Sequence, residues 1–243
     1  MNRLLILIFA TILLIGCSTN PEKGVPRAAA DAMTGSPWTL TAVASLTMEG
    51  SGMMHEIQSE ASPQFTVTSF KRVINFRKRQ WRGDMTVVST SSSPVPQLLS
   101  MGLVADKTFQ TSLLPAETRN GFDPQLRTEV LRHPVGFLQA AFSGTVAPTG
   151  SRVVDGMDAV DLTVNGTVYT LFLDGSTKLP VKILTTAGST ILETAFPSYK
   201  TVHGYKLPSR IVTKVGSSVI EDLKIDQQVA SADTVELTIP GKL

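Results

Sequence analysis

Residues 167–186 read TVYTLFLDGSTKLPVKILTT, and this stretch decides the fold class. Its first half, Val168 to Leu173, is apolar, aromatic or β-branched at every position, so a strand there must be covered on both faces. Asp174 to Ser176 supplies a reversal, and the residues from Leu179 to Ile183 form the return strand. Because Pro180 has no amide hydrogen for a ladder, a strand start or a bulge is expected there. The stretch predicts a hairpin in the interior of a sheet.

Further β-prone segments lie at short spacing on both sides of this hairpin. They are residues 40–52, 65–76, 81–90, 106–114, 151–155, 159–164, 190–200, 207–215 and 219–225. Asn165 and Gly166, between two of these segments, are the residue pair favoured in a type I′ hairpin turn. The sequence therefore predicts a mainly β fold with about ten or eleven antiparallel strands.

Three short segments carry helical signals instead. Residues 27–33 are rich in alanine, and residues 123–133 place Leu131 on an apolar face of period 3.6. Pro134 then restarts a second helix whose apolar stripe includes Phe137. Since this broken helix has no helical neighbour in the sequence, its apolar stripe is expected to pack on the sheet as a plug or lid.

Two apolar stretches are placed outside regular structure. Residues 96–104 carry leucine and methionine side chains without a clean period, and we interpret them as a mobile flap. Met53 and Met54 are predicted to lie on a turn. Either this turn is buried, or it inserts into a membrane.

Positive charge is concentrated around one predicted hairpin. The residues are Arg72, Arg77, Lys78, Arg79 and Arg82. A solvated face is the ordinary interpretation, and contact with anionic lipid headgroups or an acidic partner is the functional alternative.

The N-terminal residues predict a secretion signal. Arg3 precedes an apolar run from Leu4 to Ile15, which as a helix spans about 18 Å and is too short for a hydrocarbon core of about 30 Å. The run ends in Leu14-Ile15-Gly16-Cys17, which resembles a bacterial lipobox. That resemblance implies a signal peptide over residues 1–16 and diacylglycerol on the sulfur of Cys17, which becomes the new N-terminus.

The residues after Cys17 suggest where the protein resides. Ser18 stands where enteric-type lipoproteins retained at the inner membrane have an aspartate, so we expect outer-membrane residence, facing the periplasm. Residues 17–26 contain two prolines, a glycine and charged side chains, which favours a tether. The folded domain is then predicted over residues 27–243.

Composition argues against a nucleic-acid-binding protein and against a disulfide-stabilised one. The 243 residues carry a formal charge of +2, and aromatic residues make up 6%, without any basic run interleaved with aromatics, so a nucleic-acid partner is not expected. Cys17 is the single cysteine, so no internal disulfide can form.

No catalytic signature occurs in the sequence. His55, His133 and His203 are far apart, and none has a second ligand at metal-binding spacing. Asp155, Asp158 and Asp161 lack the pattern of a calcium loop, and residues 91–93 lack the frame of a nucleophilic serine. Phosphate loops and dinucleotide fingerprints are absent as well. We therefore expect neither an enzyme nor a bound cofactor or metal.

Two hairpins carry a family resemblance. The run from Gly166 to Lys182, followed by FPSYKTVHGYKLPSRI at residues 196–211, resembles the LolA/LolB-like lipoprotein-carrier superfamily. The likeness covers the chain from Leu40 onward and is sharpest over residues 155–215. It implies an unclosed, strongly curved half-barrel with helices across its concave side and an apolar space for acyl chains.

A second resemblance concerns a different class of protein. The His133-Pro134 helix and the same hairpins are similar to the N-terminal segment that precedes some metallo-β-lactamase-fold hydrolases. The His-x-His-x-Asp-His metal motif of those hydrolases does not occur in this sequence.

The predicted function is binding of a hydrophobic ligand, a lipid or the acyl chains of a lipoprotein, for transport or presentation in the envelope. We expect a membrane anchor through lipidated Cys17, which labelling with palmitate would detect. We also expect an envelope protein partner. The candidate cavity residues are Trp81, Met85, Leu131, Phe137, Leu162, Leu171, Leu179, Val181, Ile211 and Leu223. Two alternatives remain: a scaffold with a filled interior, or an accessory domain of a separate hydrolase.

Overall fold

The computed structural model describes residues 21–55, 64–90, 94–111 and 123–240, and these ranges form four helices and twelve strands. In chain order they are α1 (Pro21–Thr34), α2 (Pro37–Ala42), β1 (Ser45–His55), β2 (Gln64–Asn75), β3 (Gln80–Ser89), β4 (Pro96–Val104), β5 (Lys107–Thr111), α3 (Asp123–Arg132), α4 (Pro134–Phe142), β6 (Thr149–Val154), β7 (Met157–Val164), β8 (Thr167–Leu173), β9 (Pro180–Ala187), β10 (Thr190–Val202), β11 (Tyr205–Val215) and β12 (Ser218–Ser231).

All twelve strands belong to one antiparallel sheet. Its order is β5-β4-β3-β2-β1-β12-β11-β10-β9-β8-β7-β6, so each neighbour is a sequence neighbour except where β1 pairs with β12. Within the described residues β5 and β6 are edges that do not pair with each other, and the sheet stays open. The predicted mainly β half-barrel is confirmed.

The hairpin of β8 and β9 forms as predicted. Leu171 pairs with Ile183, and β9 begins at Pro180, where the register shifts. Residues from Tyr169 to Leu173 are all buried, as expected for a strand covered on both faces. In the reversal, the Asp174 carboxylate accepts hydrogen bonds from the amides of Ser176 and Thr177. These bonds fix the turn that sets the register of the two strands.

The turn between β7 and β8 also agrees with its sequence. Asn165 and Gly166 have φ values of 51° and 77°. Two consecutive positive φ angles define a type I′ turn, which asparagine and glycine tolerate best. The predicted Asn-Gly hairpin is confirmed.

The start of the first strand was predicted wrongly. The segment 40–52 was expected to be extended, but residues 37–42 form α2 and β1 begins only at Ser45. The Ser36 hydroxyl accepts a hydrogen bond from the Trp38 amide, and Pro37 occupies the first helical position. This serine–proline pair is a helix start that outweighs the β-prone residues behind it.

The two stretches placed outside regular structure are strands. Met53 and Met54 lie within β1, where they pair with Thr66 and Phe65, rather than on a turn. Residues 96–104 form β4 between β3 and β5, rather than a flap. This additional strand raises the count to twelve. Residues 96–104 form a strand because they pair with β3 and β5, although their irregular apolar pattern does not predict one.

Helix α1 begins earlier than expected. Residues 21–26, predicted as tether, are its first turns, and Ala29, Ala30 and Met33 bury its apolar side. The predicted signal peptide of residues 1–16 and the predicted lipidation site Cys17 lie outside the described residues.

The four helices lie against one face of the sheet, called here the inner face. The core combines side chains of this face with α1, α2, α3 and α4 in one apolar cluster. The opposite, outer face carries cross-strand ion pairs, such as Lys71 with Glu49 and Arg210 with Asp222. Burial of each large apolar side chain contributes about 1.5–3 kcal/mol, so the inner face accounts for most of the stability.

Candidate functional site

The predicted cavity residues lie mainly on the inner face or on the helices that cover it. Eight of the ten belong to the apolar core and are at most 5% exposed. They are Trp81, Met85, Leu131, Phe137, Leu162, Leu171, Ile211 and Leu223. The tertiary structure therefore brings together side chains from β3, β7, β8, β11, β12, α3 and α4.

The other two predicted residues lie at the start of β9. Leu179 is half-buried and packs against the apolar core. Val181 is also half-buried, but it is not part of that core. The register shift next to Pro180 interrupts the alternation on which its inward placement depended. Val181 is the weakest member of the predicted set.

Helix α3 is fastened to the sheet by an aromatic side chain. The indole N–H of Trp81, on β3, donates to the carbonyl of Leu126 at 2.7 Å. Leu126, Val130 and Leu131 bury the same side of the helix. A buried tryptophan needs a partner for its N–H, and here that partner is the helix backbone.

The break between α3 and α4 is built from three residues. His133 caps α4, because its Nδ1 accepts a hydrogen bond from the Val135 amide at 3.3 Å. Pro134 opens the helix, and Gly136 approaches α3 closely. A Cβ atom at Gly136 would stand 1.9 Å from the Val130 carbonyl oxygen, so only glycine fits there. The sharp junction lets both helices lie on the inner face.

A buried ionic cluster joins α3 to the sheet. Arg72, on β2, donates to Glu129 Oε1 at 2.6 Å and to Glu221 Oε1, on β12, at 2.5 Å. Arg132 donates to the other carboxylate oxygen of Glu129 and to Thr194 Oγ1 on β10. We call these four charged residues, Arg72, Glu129, Arg132 and Glu221, the ionic cluster. Its two positive and two negative charges balance, which permits their burial.

The electrostatics of the ionic cluster favour the charged forms of Glu129 and Arg72. Burial raises the pKa of Glu129, but the charges of Arg132 and Arg72 outweigh this effect and leave the pKa below its ordinary value. For Arg72, burial lowers the pKa, and Glu221 and Glu129 more than compensate. Arg72 and Glu129 are therefore held in their charged forms by their neighbours in the cluster.

His133 lies beside this cluster and is neutral. Burial, together with the positive charge of Arg72, lowers its pKa to about 3, although Glu129 acts in the opposite direction. Its ring is 5.9 Å from the ring of Phe76. The Nε2 atom is buried without a hydrogen-bond partner in the described part of the chain. A neutral imidazole can act here as a helix cap but contributes no positive charge.

The ionic cluster was not predicted from the sequence. The sequence predicts a solvated basic face that includes Arg72, whereas its side chain is 3% exposed. Its position on β2 matches that of Phe70 and Ile74, which point inward at the same period of two. This alternation could have predicted that Arg72 is buried, because residues two positions apart in a strand lie on the same face.

The remaining basic residues of that hairpin are accessible. Arg77, Lys78 and Arg79 are exposed in the turn between β2 and β3. Arg82 forms a bidentate pair with Asp84 on the outer face. The predicted basic face is thus reduced to the turn.

The candidate metal ligands do not converge. Among the described residues, His, Cys, Asp and Glu form no group of three that could hold a metal ion. Asp158 binds Lys178, in the turn between β8 and β9, and Asp161 binds Arg152 and Thr170, so both carboxylates have side-chain partners. Residues 91–93 lie outside the described residues.

No helix in the described part of the chain is both long and apolar enough to cross a membrane.

No protein-family model matches this sequence, and no curated protein matches it. Among solved structures, a LolA superfamily protein from Nitrosomonas europaea matches 86% of this chain and 93% of its own, with 12% identity and a TM-score of 0.45. The lipoprotein LppX from Mycobacterium tuberculosis matches 89% of this chain and 100% of its own, with 13% identity and a TM-score of 0.26. The half-barrel fold is defined by the strand order and the open sheet of this structure.

Proposed function

We propose that this chain is an envelope lipoprotein that binds a hydrophobic ligand between the inner face and the helices α3 and α4. The observation that carries the proposal is the arrangement of one open sheet whose apolar face is covered by a separate helical element. The ligand is a lipid or the acyl chains of a lipoprotein, and binding involves no covalent chemistry.

The inner face suits an acyl chain. Apolar burial yields about 25 cal/mol per Å² and requires no directional partner, so chains of different length can be accepted. Met33, Met48 and Met85 are buried in the core. Their flexible thioethers can adapt to a ligand of irregular shape.

We propose that helix α3 moves aside when the ligand enters. It is held by Trp81 and by the ionic cluster in addition to its own apolar contacts. Burying an ion pair costs free energy because both charges lose their hydration. When the helix moves away, the charges are hydrated again, and this hydration offsets part of the free energy lost with the broken ion pairs. An equally large apolar contact would offer no such compensation. The cluster therefore closes the site while leaving it able to open.

Anchoring through Cys17 places the carrier at a membrane. We propose that lipidated Cys17 holds the chain at the outer membrane, facing the periplasm. Labelling of cells with a fatty-acid probe such as palmitate tests this anchor in the wild type and in Cys17→Ala. Label is expected only in the wild type, and equal incorporation in both removes the anchor.

Ligand binding is tested by lipid extraction and mass spectrometry of the full chain purified from a bacterial envelope. Acyl lipid is expected to co-purify with the wild type. Leu171→Trp fills the inner face and is expected to reduce this lipid, whereas Thr163→Trp, on an exposed position of β7, retains it. Absence of lipid from the wild type, or equal loss from both variants, contradicts the proposal.

A scaffold with a filled interior is the second candidate. The observation in its favour is that eight predicted cavity residues are already buried by their own chain. Its expected result in the same extraction is a folded wild-type protein without reproducible acyl lipid.

A further inference from the structure

One aromatic side chain stands apart from the core. Trp38, on α2, is 83% exposed. The other tryptophan, Trp81, is 2% exposed and hydrogen-bonded to α3. An indole ring in water gains nothing from packing, whereas tryptophan is enriched at membrane–water interfaces, where its ring lies at the headgroup level.

The basic turn lies directly beside α2. Arg77 Nη2 donates to the Thr41 carbonyl at 2.9 Å, which joins the turn between β2 and β3 to the C-terminal end of α2. Arg79, two residues later, is also exposed. Trp38 lies three residues before Thr41 in the same short helix, so the tertiary structure places the basic turn beside the helix that carries the exposed ring.

The C-terminal segment adds an apolar side chain to the same end of the sheet. Asn75 Nδ2 donates to the Val235 carbonyl at 2.9 Å, and Lys78 pairs with Glu236. Val235 is 38% exposed. We call the surface formed by Trp38, Arg77, Arg79 and Val235 the docking face.

The charge of this end is positive. The basic turn carries three cations, Arg77, Lys78 and Arg79, and the C-terminal segment contains two carboxylates, Asp233 and Glu236. Glu236 is engaged with Lys78, and the count of three cations and two anions leaves one positive charge in excess. The docking face thus combines exposed apolar side chains with positive charge.

We propose that the docking face binds the interfacial region of a bilayer that contains anionic phospholipid. Trp38 and Val235 enter the headgroup boundary, and Arg77 and Arg79 contact lipid phosphates. Each basic side chain near an anionic membrane surface contributes about 1 kcal/mol, which is modest individually but additive to insertion of the ring. This contact orients the chain on the membrane and is independent of what the inner face binds.

The experiment uses the full chain reconstituted into phosphatidylcholine vesicles, with or without phosphatidylglycerol. The emission of Trp38 is followed, with lipids brominated near the headgroup as quenchers. Trp81 is buried, and its own contribution to the emission is measured separately in Trp38→Phe. We expect a blue shift and quenching with phosphatidylglycerol, less of both in high salt, and loss of the response in Trp38→Phe.

Charge-matched variants identify the surface. Arg77→Gln/Arg79→Gln is expected to lower the ratio of quenched to unquenched Trp38 about tenfold or more, as two basic side chains are lost. Lys206→Gln/Lys224→Gln removes the same charge from exposed positions of β11 and β12 and is expected to leave the ratio unchanged. Trp38 emission that stays typical of water on anionic vesicles overturns the proposal, as does an equal effect of the two double variants.

Discussion

Arg72 Nη1, on β2, donates to Glu129 Oε1, on α3, at 2.6 Å, and both side chains are almost fully buried. The pair connects the covering helix to a strand 57 residues earlier in the chain. Arg72 also lies 5.5 Å from the centre of the Trp81 ring, whose N–H is bonded to the same helix. The ion pair of Arg72 and the hydrogen bond of Trp81 therefore both hold α3, and the contact between Arg72 and the Trp81 ring links the two residues.

Neutralisation of Glu129 tests the ionic cluster. Glu129→Gln leaves Arg72 and Arg132 with too little negative charge and is expected to lower the free energy of unfolding by about 3–5 kcal/mol. Glu193→Gln is the matched control, because Glu193 pairs with Lys182 and Lys214 at partly exposed positions, and a loss below about 1 kcal/mol is expected. Urea unfolding followed by circular dichroism measures both. Equal losses would show that the cluster has no special role.

The neutral state of His133 predicts a pH dependence of stability. The folded-state pKa of about 3 lies below the ordinary value of 6.5, so between these values the unfolded chain binds a proton that the folded chain does not. Stability is fully present above about pH 6.5 and falls as the pH decreases towards 3, by about 1.4 kcal/mol per pH unit.

His133→Asn tests this assignment. Asparagine can still cap α4 but does not titrate, so the slope of stability between pH 6.5 and 5 is expected to flatten. His203→Asn, in the exposed turn between β10 and β11, is expected to retain the wild-type slope. A wild-type slope in His133→Asn would place the titration on another group.

The close approach at Gly136 predicts a severe effect of one methyl group. Gly136→Ala puts a Cβ atom into the Val130 carbonyl and is expected to cost more than about 3 kcal/mol, because the backbone must shift. Gly24→Ala, on α1, meets nothing within 4 Å and is expected to be neutral or to stabilise by about 0.5–1 kcal/mol. Thermal unfolding measures the difference, and similar melting temperatures would contradict it.

The hydrogen bond of Trp81 predicts a difference between the two tryptophans. Trp81→Phe removes the donor and leaves the Leu126 carbonyl without it, which is expected to cost about 1–3 kcal/mol. Trp38→Phe is expected to change the free energy of unfolding by less than about 0.5 kcal/mol, since Trp38 is exposed. Chemical unfolding without membranes measures the effect of each substitution on the free energy of unfolding. Equal effects would show that the hydrogen bond from Trp81 to Leu126 does not contribute to stability.

Sequence reasoning succeeded where local chemistry decides structure. The hairpin around Asp174 and the turn at Asn165-Gly166 follow from residues next to one another, and both have the predicted form. The same reasoning failed at residues 37–42, where a serine–proline cap was overlooked, and at residues 96–104, whose strand depends on its neighbours β3 and β5.

The sequence by itself determined a mainly β protein whose strands have an apolar face, because alternation and turn residues are encoded locally. The open sheet was expected only from the family resemblance. Only the tertiary structure decided that β1 pairs with β12, that Arg72 is buried against Glu129 and Glu221, and that Arg77 donates to the Thr41 carbonyl of α2. Each of these contacts joins residues far apart in the chain. Their formation depends on how the sheet curves and where the helices settle, which periodicity within one strand does not encode.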